Sequence, residues 1–269
     1  MILLAPAFAF ALQTIDSLPP TTAPAIDARY RACLSLATSD PKAAENEAES
    51  YRLSGGGAKA RECLGLAYAQ EERWREAATS FEGAAHDADA AKDKLMAKYW
   101  AEAGNAWLAA SEPVKAHAAL DAALAPGTLA GQDKGEALLD RSRALVAAGE
   151  MKGARVDLDG ALDNAPADPL AWLLSATLAR RMGDLPRAKG DIAEALRLSA
   201  DDASVQLEAG NIAAMDGNAD GARAAWQQAV KLAPGSPMAA NARKALTQFD
   251  APEPAPAAAA APAPTSAKK

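Results

Sequence analysis

Two histidines, two cysteines, one glycine-rich stretch and a cluster of glutamates are the residues of this sequence best suited to chemistry. His86 and His117 could act as bases or metal ligands, but neither falls in a recognisable metal-binding motif, and both read as ordinary surface or interhelical residues. Ser54-Gly55-Gly56-Gly57-Ala58-Lys59 has the glycines and the lysine of a phosphate-cradling loop. It lacks the required glycine-to-lysine spacing and no strand leads into it, so it reads as a turn. Glu45, Glu47 and Glu49 sit among alanines and read as a solvated helix face. No nucleophile elbow, dinucleotide fingerprint or pair of catalytic carboxylates is visible. The sequence therefore predicts no catalytic, metal-binding or cofactor-binding residues: a protein that is not an enzyme and carries no cofactor.

Composition points to what the chain does instead. Of 269 residues, 50% are hydrophobic but only 5% aromatic, with alanine supplying most of the apolar share. Alanine is the best helix former and lets helices approach closely, so an all-helical protein with thin cores is expected. A formal net charge of −7 leaves no basic footprint for nucleic acid. Met1 to Leu12 is almost wholly apolar and ends in small residues, which makes 1–11 a candidate signal peptide although no basic residue precedes it. The run is too short for a permanent membrane span, which takes roughly 20 residues. Residues 12–27, with Pro19, Pro20 and Pro24, read as a linker. Residues 250–269 read as a disordered Ala/Pro-rich tail.

Between these ends the sequence repeats itself. Gly149, Gly183 and Gly217 recur at a spacing of 34, as do Ala154, Ala188 and Ala222, then Leu158, Ile192 and Trp226, and then Ala161, Ala195 and Ala229. A period of this length is the mark of a helical-hairpin array. Upstream, Leu64-Gly65, Tyr68, Ala77, Phe81 and Ala84 fall in the same places, and so do Trp100, Gly104, Trp107, Ala116, Leu120 and Ala123. These residues resemble the tetratricopeptide-repeat (TPR) pattern over roughly 28–249. The units are 28–57 (shortened and degenerate), 58–91, 97–130, 135–168, 169–202 and 203–236, with 237–249 as a capping helix.

Helical periodicity puts unit positions 4, 7, 8 and 11 on one face of each first helix, and positions 20, 24 and 27 on one face of each second helix. Small residues at 8 and 20 let the paired helices cross closely, while larger ones at 4, 11 and 24 fill the flanks. Asp168-Pro169 supplies a cap and a first-turn proline, and the recurring glycines fall in the hairpin turns. Cys33 and Cys63 take matching places on consecutive first helices. Packed helices run about 8–10 Å apart, whereas a disulfide needs Cα atoms within about 7 Å. An even cysteine count suits an oxidising compartment. Both a disulfide and two separate thiols stay open at this point.

The resemblance implies an α-solenoid of stacked antiparallel helix pairs, a right-handed superhelix with its first helices lining the concave face. Carried over by position, the candidate partner-binding groove comprises Lys59, Lys98, Asn105 and Arg143, followed by Thr177, Arg180, Arg181 and Asn211. Glu62 and Glu136 fall at groove positions too, but on this register basic residues outnumber acidic ones. A peptide bearing acidic and apolar side chains is therefore expected, with Asn105 and Asn211 bonding its backbone. A clamp for a terminal carboxylate is incomplete, because Asn105 pairs with Ala101 and Asn211 with Leu207 where that clamp needs lysine. The implied function is a protein-interaction scaffold or adaptor in the bacterial cell envelope, periplasmic or secreted, with a protein or peptide partner. The alternative is a cytoplasmic TPR adaptor or assembly factor with an uncleaved N-terminus.

Overall fold

The computed structural model describes residues 28–249, which fall into two compact units divided after Ala200. The signal peptide, linker and tail expected at 1–27 and 250–269 lie outside the described residues. The first unit holds ten helices in five consecutive pairs. They are α1 (Ala28–Ser39) with α2 (Pro41–Leu53), α3 (Gly57–Gln70) with α4 (Trp74–Ala90), α5 (Met96–Ala109) with α6 (Pro113–Leu124), α7 (Gly131–Ala148) with α8 (Met151–Asn164), and α9 (Pro169–Arg181) with α10 (Leu185–Leu198). The second unit holds α11 (Ala203–Met215), α12 (Ala219–Leu232) and α13 (Pro237–Phe249). No strand occurs among the described residues.

Local chemistry sets the helix starts. The side chains of Asp40, Asp168, Asp184, Asp202 and Asn218 each accept a hydrogen bond from a backbone N–H in the first turn of the helix that follows. Prolines at 41, 113, 169 and 186 occupy first-turn sites whose N–H would have no helical partner. The hairpin turns after that of α1 and α2 share one backbone conformation. Gly149, Gly183 and Gly217 have positive φ, and so do Glu72 and Ser111 at the equivalent place in the two earlier hairpins.

Within each hairpin the seam follows the repeat. Ala77, Ala116, Ala154, Ala188 and Ala222 are fully buried, and the larger residues four positions on, Phe81, Leu120, Leu158, Ile192 and Trp226, are buried beside them. The fit is close enough to select glycine on the facing helix. A Cβ at Gly104 would lie 2.4 Å from Leu120, and one at Gly210 would lie 2.4 Å from the Trp226 ring.

The first pair departs from average spacing. Cys33 of α1 and Cys63 of α3 form a disulfide, with Cα atoms 6.0 Å apart. Ala37, Ala44, Ala48 and Ala67 surround the two sulfurs. Side chains that small let the backbones come nearer than the usual interhelix distance, so the equivalent cysteines meet. In the second unit, α13 covers α12 through Ala239 and Ala242, and Phe249 packs edge-on against Trp226 at 5.4 Å.

A candidate partner face on the first helices

Most acids of the second helices are tied to structure. Asp87 on α4 accepts from Arg61 at 2.8 Å, and Glu82 accepts from Trp107 Nε1 at 2.7 Å. Asp157 on α8 takes both Nε and Nη2 of Arg141, at 2.8 and 2.7 Å, while Asp121 on α6 takes Nη1 of the same arginine at 2.9 Å. One repeat on, buried Asp191 accepts from Ser175 and Arg187; Arg155 donates to Ser175 Oγ at 2.7 Å, and Arg155 and Arg187 both reach Asp159. These contacts staple consecutive helices together and leave little for a ligand.

The first helices differ. Glu62 on α3 accepts the Tyr30 hydroxyl from α1, and burial pushes its carboxyl up. Burial and the facing carboxylate likewise raise the Tyr30 and Tyr99 hydroxyls. Tyr99 on α5 is only 1% exposed, and its hydroxyl lies near the Glu62 carboxylate without completing a well-formed hydrogen bond. Beside it on the same helix, Glu102 makes no hydrogen bond or ion pair with any described residue. Its carboxyl is pushed up to about 7, first by burial and then by Glu62, Asp140 and Glu136, against a partial opposing pull from Lys98. Asp140 on α7 accepts from Asn105 at 2.7 Å and from Arg143 at 2.8 Å.

The carboxyl of Glu102 makes a testable contribution to stability. Because the folded state holds this proton more tightly than the unfolded chain, whose value is 4.5, stability falls as pH rises through the window from there to about 7. Glu102→Gln is expected to be more stable than the parent by about 1–3 kcal/mol near pH 8, with partial hydration of the side chain holding the gain below the full shift. The advantage should vanish as pH falls towards 4.5. Parallel thermal melts across this range check it; a constant offset at every pH would show that Glu102 is not the titrating group.

The sequence-derived groove residues divide into several groups. Lys59 lies over the Tyr30 ring, 5.6 Å from its centroid, and Lys98 is exposed one turn before Glu102. Asn105 and Arg143 converge on Asp140. Thr177 bonds back to the Leu173 carbonyl within α9, and Arg180 and Arg181 form the basic last turn of that helix. In the second unit Asn211 is already engaged, accepting from Trp226 Nε1 at 3.1 Å and donating to Glu208 at 3.0 Å. The structure thus joins Lys59, Lys98, Asn105 and Arg143 in one neighbourhood. It also adds Glu102 and Asp140, from a unit position that the sequence register had not counted. With them included, the excess of basic charge expected for α3, α5 and α7 disappears.

Other candidates resolve as structural features. The glycine-rich 54–59 stretch is the turn between α2 and α3. His86 packs edge-on against Trp100, and His117 lies 3.7 Å from Asp121. Among the described residues no cluster of three or more His, Cys, Asp or Glu could hold a metal ion, and no helix is long and apolar enough to cross a membrane. An open cleft of about 470 Å³ on α3 and α4 contains Arg61, Arg75 and Glu76, each already in an ion pair.

Paired helices of this length, a seam of small against large side chains, and turns repeating every 34 residues define a helical-repeat protein. The chain has the tetratricopeptide-repeat fold, an α-solenoid of stacked helix pairs. The solved structure of pilF from Pseudomonas aeruginosa superposes with a TM-score of 0.68 at 15% identity, covering 82% of this chain and 96% of that one. PilW, described as a widely conserved type IV pilus biogenesis factor, gives 0.66 at 20% identity, covering 82% and 99%. YrrB, described as a TPR protein with an unusual peptide-binding site, gives 0.54 at 18% identity, covering 73% and 96%. No protein-family model matches the chain, and no curated protein matches it in sequence.

Proposed function

We propose that this protein is a non-enzymatic interaction scaffold, binding a partner peptide or domain through the exposed face of its first helices and acting in the bacterial cell envelope. The observation that carries the reading is the unequal use of polar side chains: most acids of α4, α6, α8 and α10 are bonded within the fold, while α5 keeps a half-buried carboxylate with no hydrogen bond or ion pair and a buried hydroxyl with no well-formed hydrogen bond. Groups that cost stability and serve no internal contact mark a surface kept for recognition. YrrB supplies an example of this fold with a peptide-binding site. The disulfide supports an oxidising location, since such bonds do not persist in a reducing cytosol, and it favours the envelope over a cytoplasmic adaptor.

Photo-crosslinking amino acids placed at Asn105 and Thr177 on first helices are expected to capture a partner in the native host. The same group at Val114 or Val156, both highly exposed on second helices, should capture none. Equal capture from both sets would remove the assignment to this face. Intact mass of the mature protein tests location: loss of about the first 11 residues reports export, and an uncleaved chain supports the cytoplasmic alternative.

A further inference from the structure

We propose that the strip formed by Glu62, Glu102 and Tyr99, flanked by Asp140, binds a cationic side chain, lysine or arginine, from an extended segment of a partner polypeptide. The inference rests on the interaction reading above and gives that partner its chemistry. Two independent observations support it. The first is a half-buried carboxylate with no cation in contact: Glu102 lies among Glu62, Glu136 and Asp140, and the nearby Lys98 forms no ion pair with it. The second is the Tyr99 hydroxyl, on a residue 1% exposed, which lies near the Glu62 carboxylate without completing a well-formed hydrogen bond in the free protein.

The charges facing this strip come from four helices. Tyr30 on α1 holds one oxygen of Glu62. Lys59 on α3 is placed over the Tyr30 ring, and Lys98 on α5 is exposed and attracts Glu102 without forming an ion pair with it. Arg143 on α7 and Asn105 on α5 satisfy Asp140, and Gln132 donates to Glu136, so the acid left over is Glu102. An incoming ammonium or guanidinium would ionise Glu102 fully and supply the hydrogen bonds it lacks, and the Tyr99 hydroxyl offers one more donor and acceptor. An acidic ligand would meet three unfavourable carboxylates in the same place.

The test uses the full chain and a twelve-residue peptide of alternating lysine and alanine, followed by isothermal titration calorimetry. The lysine peptide should bind, its glutamate counterpart should not, and Glu102→Gln or Glu62→Gln should each weaken binding about tenfold. Tyr99→Phe should weaken it several-fold with little change in the stability of the free protein, because the lost hydroxyl makes no well-formed hydrogen bond there. Repeating the titration at pH 7 in buffers of different ionisation enthalpy should show proton release as Glu102 gives up its proton to pair with the cation. Asp163→Asn with Asp220→Asn, both exposed acids elsewhere, should leave affinity and proton release unchanged. Equal loss in that control, binding without proton release, or preference for the glutamate peptide would each overturn the proposal. Partner cross-links at Asn105 without lysine-peptide binding overturn the cationic chemistry and leave the scaffold reading intact; failure of both removes the reading itself.

Discussion

Replacing Cys33 and Cys63 together by alanine is expected to destabilise the first repeats by about 3–4 kcal/mol. The bond closes a segment of 30 residues, and a cross-link of that span removes much of the freedom of the unfolded chain. Both sulfurs are completely buried, so alanine, which brings no hydroxyl into the site, is the fair replacement. The core around the disulfide is built largely of small side chains, Ala37, Ala44, Ala48 and Ala67, which offer little other apolar area to offset the loss. Urea melts followed by circular dichroism, with and without dithiothreitol present throughout, check the prediction. Reductant should bring the parent down to the level of the variant and leave the variant where it was. A parent melt indifferent to reductant, with two alkylatable thiols in the unfolded protein, would show that the sulfurs are not joined. Because repeat arrays gain stability mainly from neighbour contacts, the loss should appear as early unfolding of α1 to α4 before it spreads.

The repeat was legible in the sequence because its seam permits so few residue types. Ala116 and Ala188 are fully buried at a helix crossing, and any larger side chain there would have to displace a neighbour. The hairpin turns were only partly legible. Gly149, Gly183 and Gly217 announce a left-handed residue, whereas Glu72 and Ser111 adopt the same conformation with no such signal. At those two places the flanking helices hold the backbone, and the steric cost of about 1–2 kcal/mol is carried by their packing. The disulfide was undecidable from average helix spacing, since it depends on how far alanine-rich faces let α1 and α3 close up.

The candidate face was harder to read for a similar reason: its character depends on contacts between units. Asn211 looked available for a ligand, but Trp226, 15 residues further on, donates its ring N–H to it. Glu102 stood outside the groove positions taken from the family pattern. Its environment is assembled from Glu62, Glu136 and Asp140 on the helices before and after its own. One signal was present in the alignment of units: Glu102 and Asp140 occupy the place that Cys33 and Cys63 fill earlier, and those cysteines meet across the seam between first helices.

Arg141→Met is expected to destabilise the protein by about 3–5 kcal/mol, more than removal of its acidic partner. The Asp157 side chain is 4% exposed and depends on Arg141 for both its oxygens, whereas the arginine is 24% exposed and also holds Asp121. Removing the arginine leaves a carboxylate in the seam between α7 and α8 with no cation. Removing Asp157 leaves a guanidinium that still has water and a second acid. Replacing the pair by Arg141→Met with Asp157→Leu should recover most of the loss, since a packed apolar pair avoids the desolvation of both charges. Equilibrium unfolding of the three variants decides it: a neutral Arg141→Met, or a double variant no better than that single one, would mean the ion pair is not what holds these helices. Asp191, the counterpart 34 residues later, is held differently, by Ser175 at the place of Arg141 and by Arg187 one turn before it on α10. The contrast with Glu102 then gains energetic content. Removing a partner from the acids of the second helices weakens the fold, while neutralising Glu102 strengthens it, and an acid whose removal helps folding has to be explained by something the free protein does not contain.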